Sequence, residues 1–237
     1  MEALTGQVAV VTGAGRGIGE AIGSRLAKLG AAVLLIARDA ERLAEVRRQI
    51  EAAGRRAESF PLDLLHEDAI AALASTIRER HGRCDILVNN AGIGAMGAPL
   101  HETPPETWDA VMATNLRAPY LMIRALAPLM IAARSGHIIN ISSLAGNNPL
   151  RNGAAYAASK WGLNGLTYSV AEELRDYGIR VAVVAPGSVN TTFGSGKTTD
   201  ASWKIQPEDV ANVVAMLVTQ SPQSFVSEVL LRPTRKP

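Results

Sequence analysis

The sequence alternates short apolar runs with longer segments in which apolar residues recur every three or four positions. The short runs lack polar alternation, which is typical of strands buried on both faces of a parallel sheet. Seven runs are predicted as strands: Val8–Val11, Ala32–Ala37, the weaker Ala57–Leu62, Ile86–Val88, His137–Ile141, Val181–Ala185 and Val229–Leu231. The intervening segments are predicted as helices. This order indicates an α/β fold with a doubly wound, seven-stranded parallel sheet, right-handed crossovers and helices on both faces.

Residues that favour helix ends support this division. Gly30, Gly54 and Gly178 stand where three of the helices should end. Thr103–Glu106 has the Thr-x-x-Glu pattern of a capping box. Gln206–Asp209 opens the last helix with a proline and an acidic first turn.

Two predicted helices, Glu106–Ala132 and Ala154–Tyr177, are apolar on more than one face. A helix that is apolar all round requires burial on both sides. We therefore expect a homo-oligomer, either a dimer or a tetramer, that forms through these helices. Pro119 and Pro128 are expected to kink or shorten the first of them.

Composition excludes several classes of protein. A length of 237 residues suits one domain over 1–237. The single cysteine, Cys84, allows no intrachain disulfide and no cysteine-based metal site, so no metal is expected. The net charge of +2, without a basic block, gives no reason to expect nucleic acid. There is no signal-peptide pattern and no apolar run near the roughly 18 residues of a membrane span, so we expect a cytoplasmic protein without a membrane partner.

A glycine-rich loop follows the first predicted strand and opens the first helix. It contains Gly13, Gly15, Arg16, Gly17, Ile18 and Gly19. Its Gly-x-x-x-Gly-x-Gly spacing lets the backbone approach a pyrophosphate at the positive N-terminus of the helix. Tight strand–helix turns also need glycine for purely structural reasons, but the position after a buried N-terminal strand favours a dinucleotide site.

The end of the second predicted strand bears on which dinucleotide binds. Folds that bind NAD usually carry an acidic residue there for the ribose hydroxyls, whereas this chain has Ala37 followed by Arg38. A guanidinium attracts a 2′-phosphate, and Arg16 can supply a second positive charge. NADP(H) is therefore the preferred cofactor. Asp39 keeps NAD(H) open, as does the alternative that Arg38 is merely solvated before a helix capped by Asp39.

Together, the motifs resemble those of the short-chain dehydrogenase/reductase family over nearly the whole chain. The matching segments are Thr12–Gly19, Asn89–Gly92, Ile141–Gly146, Tyr156–Lys160 and Pro186–Thr191. The resemblance implies a Rossmann-type fold and an oxidoreductase, most similar to 3-oxoacyl-carrier-protein reductases and related carbonyl reductases. The catalytic residues that it implies are Asn115, Ser143, Tyr156 and Lys160.

The resemblance also assigns residues to the cofactor. These are Asp63 at the adenine end, Asn89, Ala91 and Gly92 along the floor, and Pro186, Gly187, Val189 and Thr191 on the nicotinamide side. Three alternatives remain open. Asp63 can simply begin the turn into the next helix, Asn89 and its neighbour Asn90 can tie strands together, and Thr191 can be an ordinary loop residue.

The residues themselves give a chemical rationale for the catalytic assignments. Tyr156 and Lys160 are four apart on a predicted helix and therefore share a face. An ammonium near a phenol favours the phenolate and lowers its pKa from about 10. Ser143 follows a buried strand, where its hydroxyl can donate to a carbonyl oxygen that becomes negative as hydride arrives. Ser142 is the competing candidate, but the spacing to Tyr156 resembles the family pattern and selects Ser143.

Asn115 has a role only through the resemblance. It would hold a water that links Lys160 to solvent, so that protons return through both residues. The alternative is that Asn115 merely faces solvent from the middle of a helix.

The function expected from these features is NADP(H)-dependent reduction of a carbonyl in a small or acyl substrate, with Tyr156 as acid–base catalyst. The alternatives are an NAD-dependent alcohol, steroid or sugar dehydrogenase and a non-enzymatic dinucleotide-binding regulator. Gly187–Gln206 is too long for an ordinary connection and is interpreted as a substrate lid, with a disordered surface loop as the alternative. Arg151 and Lys197 are the candidates for contact with an acidic carrier protein.

Overall fold

A computed structural model describes residues 2–193 and 202–235 of the chain. Within these residues the chain forms seven strands: Val8–Thr12 (β1), Ala32–Ala37 (β2), Ala57–Pro61 (β3), Ile86–Asn89 (β4), Gly136–Ile141 (β5), Ile179–Pro186 (β6) and Glu228–Leu231 (β7). The same residues form seven α-helices: Gly17–Lys28 (α1), Ala40–Ala52 (α2), Glu67–His81 (α3), Pro105–Met112 (α4), Ala118–Ala133 (α5), Ala154–Arg175 (α6) and Pro207–Val218 (α7). The predicted order of strands and helices is confirmed.

The strands form one sheet in the order β3-β2-β1-β4-β5-β6-β7. All neighbouring pairs among the described residues are parallel. The chain adds β2 and then β3 on one side of β1. It then crosses over and adds β4, β5, β6 and β7 in turn on the other side. The predicted doubly wound, seven-stranded sheet is therefore confirmed. The strand order reverses between β1 and β4. Open α/β sheets bind ligands in the crevice at the carboxyl ends of the strands at such a point.

Apolar side chains fill one core layer on each face of the sheet. In β1, Ala9 and Val11 belong to the layer that contains α1 and α7, while Val8 and Val10 belong to the layer that contains α3 and α5. Every residue of β1 is consequently buried. Burial on both faces accounts for the unbroken apolar runs in the sequence.

Helix ends follow the predicted signals at four places. Gly30, Gly54 and Gly178 follow the ends of α1, α2 and α6 with φ of 100°, 73° and 71°, a backbone conformation that favours glycine. At the start of α7, Gln206 and Asp209 form a reciprocal capping box, in which the Gln206 amide donates to the Asp209 carboxylate at 2.8 Å.

The predicted capping box at Thr103–Glu106 is wrong. Helix α4 begins at Pro105, so Glu106 occupies its second position rather than the third that a capping box requires. The Thr103 hydroxyl donates instead to the carbonyl oxygen of Pro99 at 3.2 Å, within the preceding turn.

The long helix predicted over Glu106–Ala132 is divided by a widened turn. A wide turn at Ala113–Arg117 separates α4 from α5, and in it the Ala118 amide donates to a carbonyl five residues back. Pro119 lies in the first turn of α5, where its missing N–H is tolerated, and Pro128 lies inside α5. The widened turn ends just before Pro119, and turns of this kind are frequent at functional sites. The kink expected at the prolines stays a prediction.

The helical path Pro105–Ala133 is long and apolar enough to meet a length-and-composition test for a membrane span, with a mean hydropathy of 1.3. Core helices of globular proteins meet the same test. Here Leu121, Met122, Leu126 and Met130 are buried in the layer beneath the sheet. The hydropathy of this path is therefore accounted for by core packing.

Candidate active site

The predicted site segments converge because all of them leave the sheet at its carboxyl edge. In a parallel sheet, the segments after each strand emerge at the same edge. Those after β1, β2, β4, β5 and β6 carry the glycine loop, Arg38, Asn89–Gly92, Ser143 and Gly187, respectively. The sequence-predicted residues are thus brought around one crevice.

The glycine loop packs directly against the segment that follows β4. Gly13 has φ of 65°, and a Cβ atom placed on it would lie 2.8 Å from Nδ2 of Asn90 and 2.9 Å from Cα of Ala91. No side chain fits at this position. A Cβ atom on Gly17 would lie 3.1 Å from Cγ2 of Thr191, so the segment after β6 covers the same loop. Ile18 packs onto the core beside it.

Hydrogen bonds of Thr12 and Asn90 hold the glycine loop against the segment that follows β4. The Thr12 hydroxyl accepts from the amides of Asn90 (3.0 Å) and Ala91 (3.1 Å) and donates to the carbonyl of Val88 (3.3 Å). The Asn90 side chain donates back to the carbonyls of Thr12 (3.0 Å) and Gly13 (3.3 Å). The strand-tying alternative is therefore confirmed for Asn90.

Asn89 makes a comparable tie one strand further along. Its Nδ2 donates to Oδ1 of Asn140 at 2.8 Å, and Asn140 donates to the Thr167 hydroxyl at 2.8 Å. These three buried side chains connect β4, β5 and α6. The structure thus gives Asn89 a structural role through its amide nitrogen.

Three arginines, Arg16, Arg38 and Arg42, lie in or near the glycine loop. Arg16, immediately before α1, and Arg38, immediately after β2, are both exposed. Asp39 caps α2 by accepting from the Arg42 amide at 3.1 Å, as predicted, and the Arg42 guanidinium lies 4.0 Å from the same carboxylate. A Cβ atom on Gly15 would lie 3.5 Å from Cβ of Arg42. Arg42 was missed by the sequence reasoning, although its position in the first turn of α2 places it near this loop.

Asp63 forms the turn that was considered as its alternative role. Its carboxylate accepts from the amide of Leu65 at 3.0 Å, and its carbonyl accepts from the amide of His66 at 3.2 Å. This turn leads directly into α3.

Asn115 does not face solvent, so that alternative is wrong. Its side chain is 0% exposed, accepts from the Ile93 amide (2.8 Å) and donates to the Ile93 carbonyl (2.9 Å). It also donates to the hydroxyl of Ser159 at 3.0 Å, and that hydroxyl donates to the carbonyl of Tyr156 at 2.7 Å. The wide turn after α4 thereby ties the segment after β4 to the helix that carries Tyr156. Ser159, for which the sequence analysis predicted no role, thus links the Asn115 side chain to the backbone of Tyr156.

Lys160 is buried beside Asn115. Its Nζ donates to the carbonyl of Ile141 at 2.9 Å, and burial lowers the pKa of its ammonium to about 8. A Cβ atom on Gly92 would lie 3.2 Å from Oδ1 of Asn115 and 3.7 Å from Nζ of Lys160. The absence of a side chain at Gly92 thus leaves room beside both polar groups.

Tyr156 contacts Ser143 through its hydroxyl. Burial raises the pKa of Tyr156, while the hydrogen bond with Ser143 acts in the opposite direction. This differs from the expected lowering by Lys160, whose Nζ lies 5.8 Å from the ring centroid and is committed to a backbone carbonyl. Ser142, the competing candidate, is buried, and its hydroxyl lies 3.5 Å from the Lys160 carbonyl.

The segment after β6 continues the site on its other side. Pro186 ends β6 opposite Leu231, and the amide of Gly187 donates to the Leu231 carbonyl at 2.9 Å. The Thr191 amide donates to the carbonyl of Val189 at 2.9 Å, and its hydroxyl accepts from the amide of Phe193.

The predicted lid Gly187–Gln206 lies partly outside the described residues, as does the candidate Lys197. Its two described ends are joined: Val189 and Ile205 form a parallel bridge, and the Asn190 amide donates to the Ile205 carbonyl at 2.8 Å. The lid interpretation stays a prediction.

Comparison with known proteins identifies the class to which this fold and site belong. Residues 7–202 match the sequence model of the short chain dehydrogenase family. The chain therefore belongs to the short-chain dehydrogenase/reductase family and is an oxidoreductase of that family.

Individual relatives are similar over almost the full chain. The crystal structure of a metagenomic short-chain oxidoreductase in complex with NADP is 60% identical, with a TM-score of 0.88, and the match covers 98% of this chain and 100% of that one. An alcohol dehydrogenase from the archaeon Thermococcus sibiricus, complexed with 5-hydroxy-NADP, is 28% identical with a TM-score of 0.91 and 98% coverage of both chains. An uncharacterized oxidoreductase of Staphylococcus saprophyticus is 35% identical over 98% of this chain and 100% of its own.

The buried ammonium of Lys160 predicts a specific pH dependence of stability. The pKa of Lys160 falls from its ordinary value of 10.5 to about 8 on folding. Between these values the unfolded chain binds more protons, so raising the pH from 8 to 10.5 favours the folded state. We expect the wild type to gain on the order of 3 kcal/mol in unfolding free energy over this range relative to Lys160→Met. Urea denaturation at a series of pH values measures the difference, and parallel profiles for the two proteins would contradict the prediction.

Proposed function

We propose that the protein is an NADP(H)-dependent oxidoreductase that reduces a carbonyl group of a small or acyl molecule to an alcohol, with Tyr156 as the acid–base group. The observation that carries this proposal is the placement of Tyr156 between the Ser143 hydroxyl, which interacts with its own, and the buried ammonium of Lys160, whose Nζ lies 5.8 Å from the Tyr156 ring centroid. Two hydroxyls at the mouth of a crevice can hold one carbonyl oxygen between them.

The residues of the crevice fit a dinucleotide. The glycine loop leaves a cradle that side chains on Gly13 or Gly17 would fill. The first amides of α1 meet no side-chain cap from Arg16, so they are available to an anion such as a pyrophosphate. When bound, the reduced dinucleotide supplies the hydride that adds to the carbonyl carbon.

Charge at the adenine end supports NADP(H) over NAD(H). Arg16 and Arg38 are exposed beside the loop, and Arg42 lies next to Gly15. Asp39, the residue that argued for NAD(H), is held as the cap of α2. The NADP complex of the metagenomic relative, at 60% identity, supports the same preference.

The catalytic residues then have separate roles. Ser143 donates a hydrogen bond to the carbonyl oxygen, and Tyr156 gives its proton to that oxygen. Lys160, with a pKa of about 8, exchanges protons near neutrality, and Asn115 orders the segment through which they return. For the other cofactor residues we propose the roles that the family resemblance implies: Asp63 at the adenine end, Asn89, Ala91 and Gly92 along the floor, and Pro186, Gly187, Val189 and Thr191 on the nicotinamide side.

A second proposal concerns assembly. A depression of about 650 Å³ lies between α4–α5 and α6, and Leu116, Tyr120 and Leu166 are among its lining residues. Tyr120 is 47% exposed, and Trp161 on α6 is 53% exposed. We propose that these helices form the interface of a homo-oligomer, a dimer or a tetramer, because exposed aromatic clusters of this kind mark protein contacts.

Substitution of Tyr156 tests the mechanism. We expect Tyr156→Phe to lower kcat/KM for carbonyl reduction by about 10²- to 10⁴-fold, because the general acid is lost. NADPH binding, followed by its fluorescence, should be unchanged. The matched control is Tyr177→Phe, an exposed tyrosine just beyond α6, which should keep wild-type activity. Retention of activity by Tyr156→Phe would show that the mechanism is wrong.

Substitution of Arg38 tests the cofactor preference. We expect Arg38→Ala to weaken NADPH binding by about tenfold or more while changing NADH binding little, since a charged hydrogen bond contributes roughly 1.5–3 kcal/mol. Fluorescence titration with each nucleotide measures both. Arg48→Ala, an exposed arginine further along α2, is the control. A wild type that binds NADH at least tenfold more tightly than NADPH would refute the preference.

Light scattering tests the interface. We expect the wild type to be a dimer or tetramer at micromolar concentration and Tyr120→Glu to shift it toward the monomer, because a carboxylate would lose its hydration at the proposed interface whereas the aromatic ring gains from burial there. Tyr177→Glu, which places the same charge on another exposed tyrosine, should leave the assembly intact. A monomeric wild type would be incompatible with this proposal.

A further inference from the structure

Three apolar side chains, Met96, Leu150 and Phe193, form a continuous surface that we refer to as the apolar wall. Met96 and Phe193 meet over Gly94: a Cβ atom placed there would lie 3.1 Å from Cε of Met96 and 3.3 Å from Cε1 of Phe193. Met96 also meets Leu150 beside Gly153, where a Cβ atom would lie 3.4 Å from Cγ of Met96 and 2.9 Å from Cγ of Leu150. Met96 thus joins the other two side chains.

The apolar wall borders the reacting hydroxyl. The ring of Phe193 lies 6.0 Å from the ring of Tyr156, with an angle of 54° between their planes. Gly153, against which Leu150 packs, immediately precedes α6, the helix that carries Tyr156 in its first turn. A group attached to a carbonyl that contacts Tyr156 would therefore lie against the wall.

Two side chains of the wall are exposed and Leu150 is half-buried, whereas the Tyr156 side chain is buried. Met96 is 50% exposed and Phe193 is 44% exposed, compared with 7% for Tyr156. The backbone next to Met96 is anchored by one hydrogen bond, in which the amide of Gly97 donates to the carbonyl of Asn152 at 2.7 Å. Exposed apolar side chains on a fixed backbone next to a reactive group are typical of a ligand pocket.

The chemistry of the wall selects among carbonyl substrates. A sugar would lose water from its hydroxyls against these side chains without regaining hydrogen bonds, which is unfavourable. An aromatic substituent, by contrast, can pack edge-to-face on Phe193 and against the sulfur of Met96.

We propose that the apolar wall binds an aryl group attached directly to the substrate carbonyl, so that the preferred substrates are aryl alkyl ketones and the corresponding secondary alcohols. This inference rests on the proposed function. In the reduction, the carbonyl carbon gains the hydride of NADPH, the oxygen gains the proton of Tyr156, and a secondary alcohol leaves together with NADP⁺.

The test compares two ketones that differ in the aryl group. Acetophenone and butan-2-one are reduced with NADPH by the wild type, Phe193→Ala, Met96→Ala and the control Met216→Ala, an exposed methionine on α7. We expect the wild type to have at least a tenfold higher kcat/KM for acetophenone. That ratio should fall at least tenfold in Phe193→Ala, fall in the same direction in Met96→Ala and stay at the wild-type value in Met216→Ala.

The outcomes separate this inference from the proposed function. If the wild type reduces both ketones equally well, or if Phe193→Ala keeps the wild-type ratio, the aryl site is overturned while the oxidoreductase remains. If the wild type binds NADPH but reduces neither these ketones nor any other carbonyl, the proposed function fails, and the inference fails with it.

Discussion

The hydrogen bonds of the Thr12 hydroxyl hold together the two chain segments that form the floor of the crevice. A threonine hydroxyl has one donor and two acceptor positions, and here the donor goes to Val88 while the acceptors take the amides of Asn90 and Ala91. All three bonds cross from β1 to β4, the two strands between which the sheet reverses its order. Without this hydroxyl the two partly buried amides would lose their partner, at a cost of up to about 1–3 kcal/mol for each, the range for a fully buried group left unsatisfied. The floor of the crevice therefore has a fixed width before any ligand binds.

Burial gives Tyr156 and Lys160 opposite protonation tendencies. The pKa of Tyr156 is raised and the pKa of Lys160 is lowered to about 8, since a low-dielectric environment disfavours both charged forms. The Tyr156 phenol therefore keeps its proton at neutral pH, whereas the buried ammonium of Lys160 loses its proton at a lower pH than an exposed lysine does. Such divergence of pKa values is how acid and base roles are assigned within one site.

Sequence patterns predicted the elements that depend on local rules. The strands were predicted from unbroken apolar runs, which are typical of strands buried on both faces. The loop from Thr12 to Gly19 was predicted from its glycine spacing, because close approach of the backbone to a pyrophosphate requires glycine. Features set by tertiary contact were not predictable in the same way. The start of α4 shifted by one residue from the Thr103 pattern, and the turn around Asn115 widened where its side chain bonds to Ile93.

The site residues show the same division. Spacing placed Tyr156 and Lys160 on one helix, but their pKa shifts depend on burial, which spacing does not reveal. Arg42 and Ser159 act through neighbours that come from other parts of the chain, namely Gly15 and Asn115. No short-range pattern marks such residues, because their partners are distant in sequence.

The bridge between Val189 and Ile205 has a consequence for how this protein can acquire new substrates. It joins the chain on both sides of the segment that begins near Phe193, which holds the two ends of that segment next to each other. Closure entropy rises by only about 0.6 kcal/mol for each doubling of loop length. The intervening segment can therefore be lengthened or exchanged as a cassette, during evolution or in the laboratory, while the hydroxyls of Ser143 and Tyr156 stay where they are.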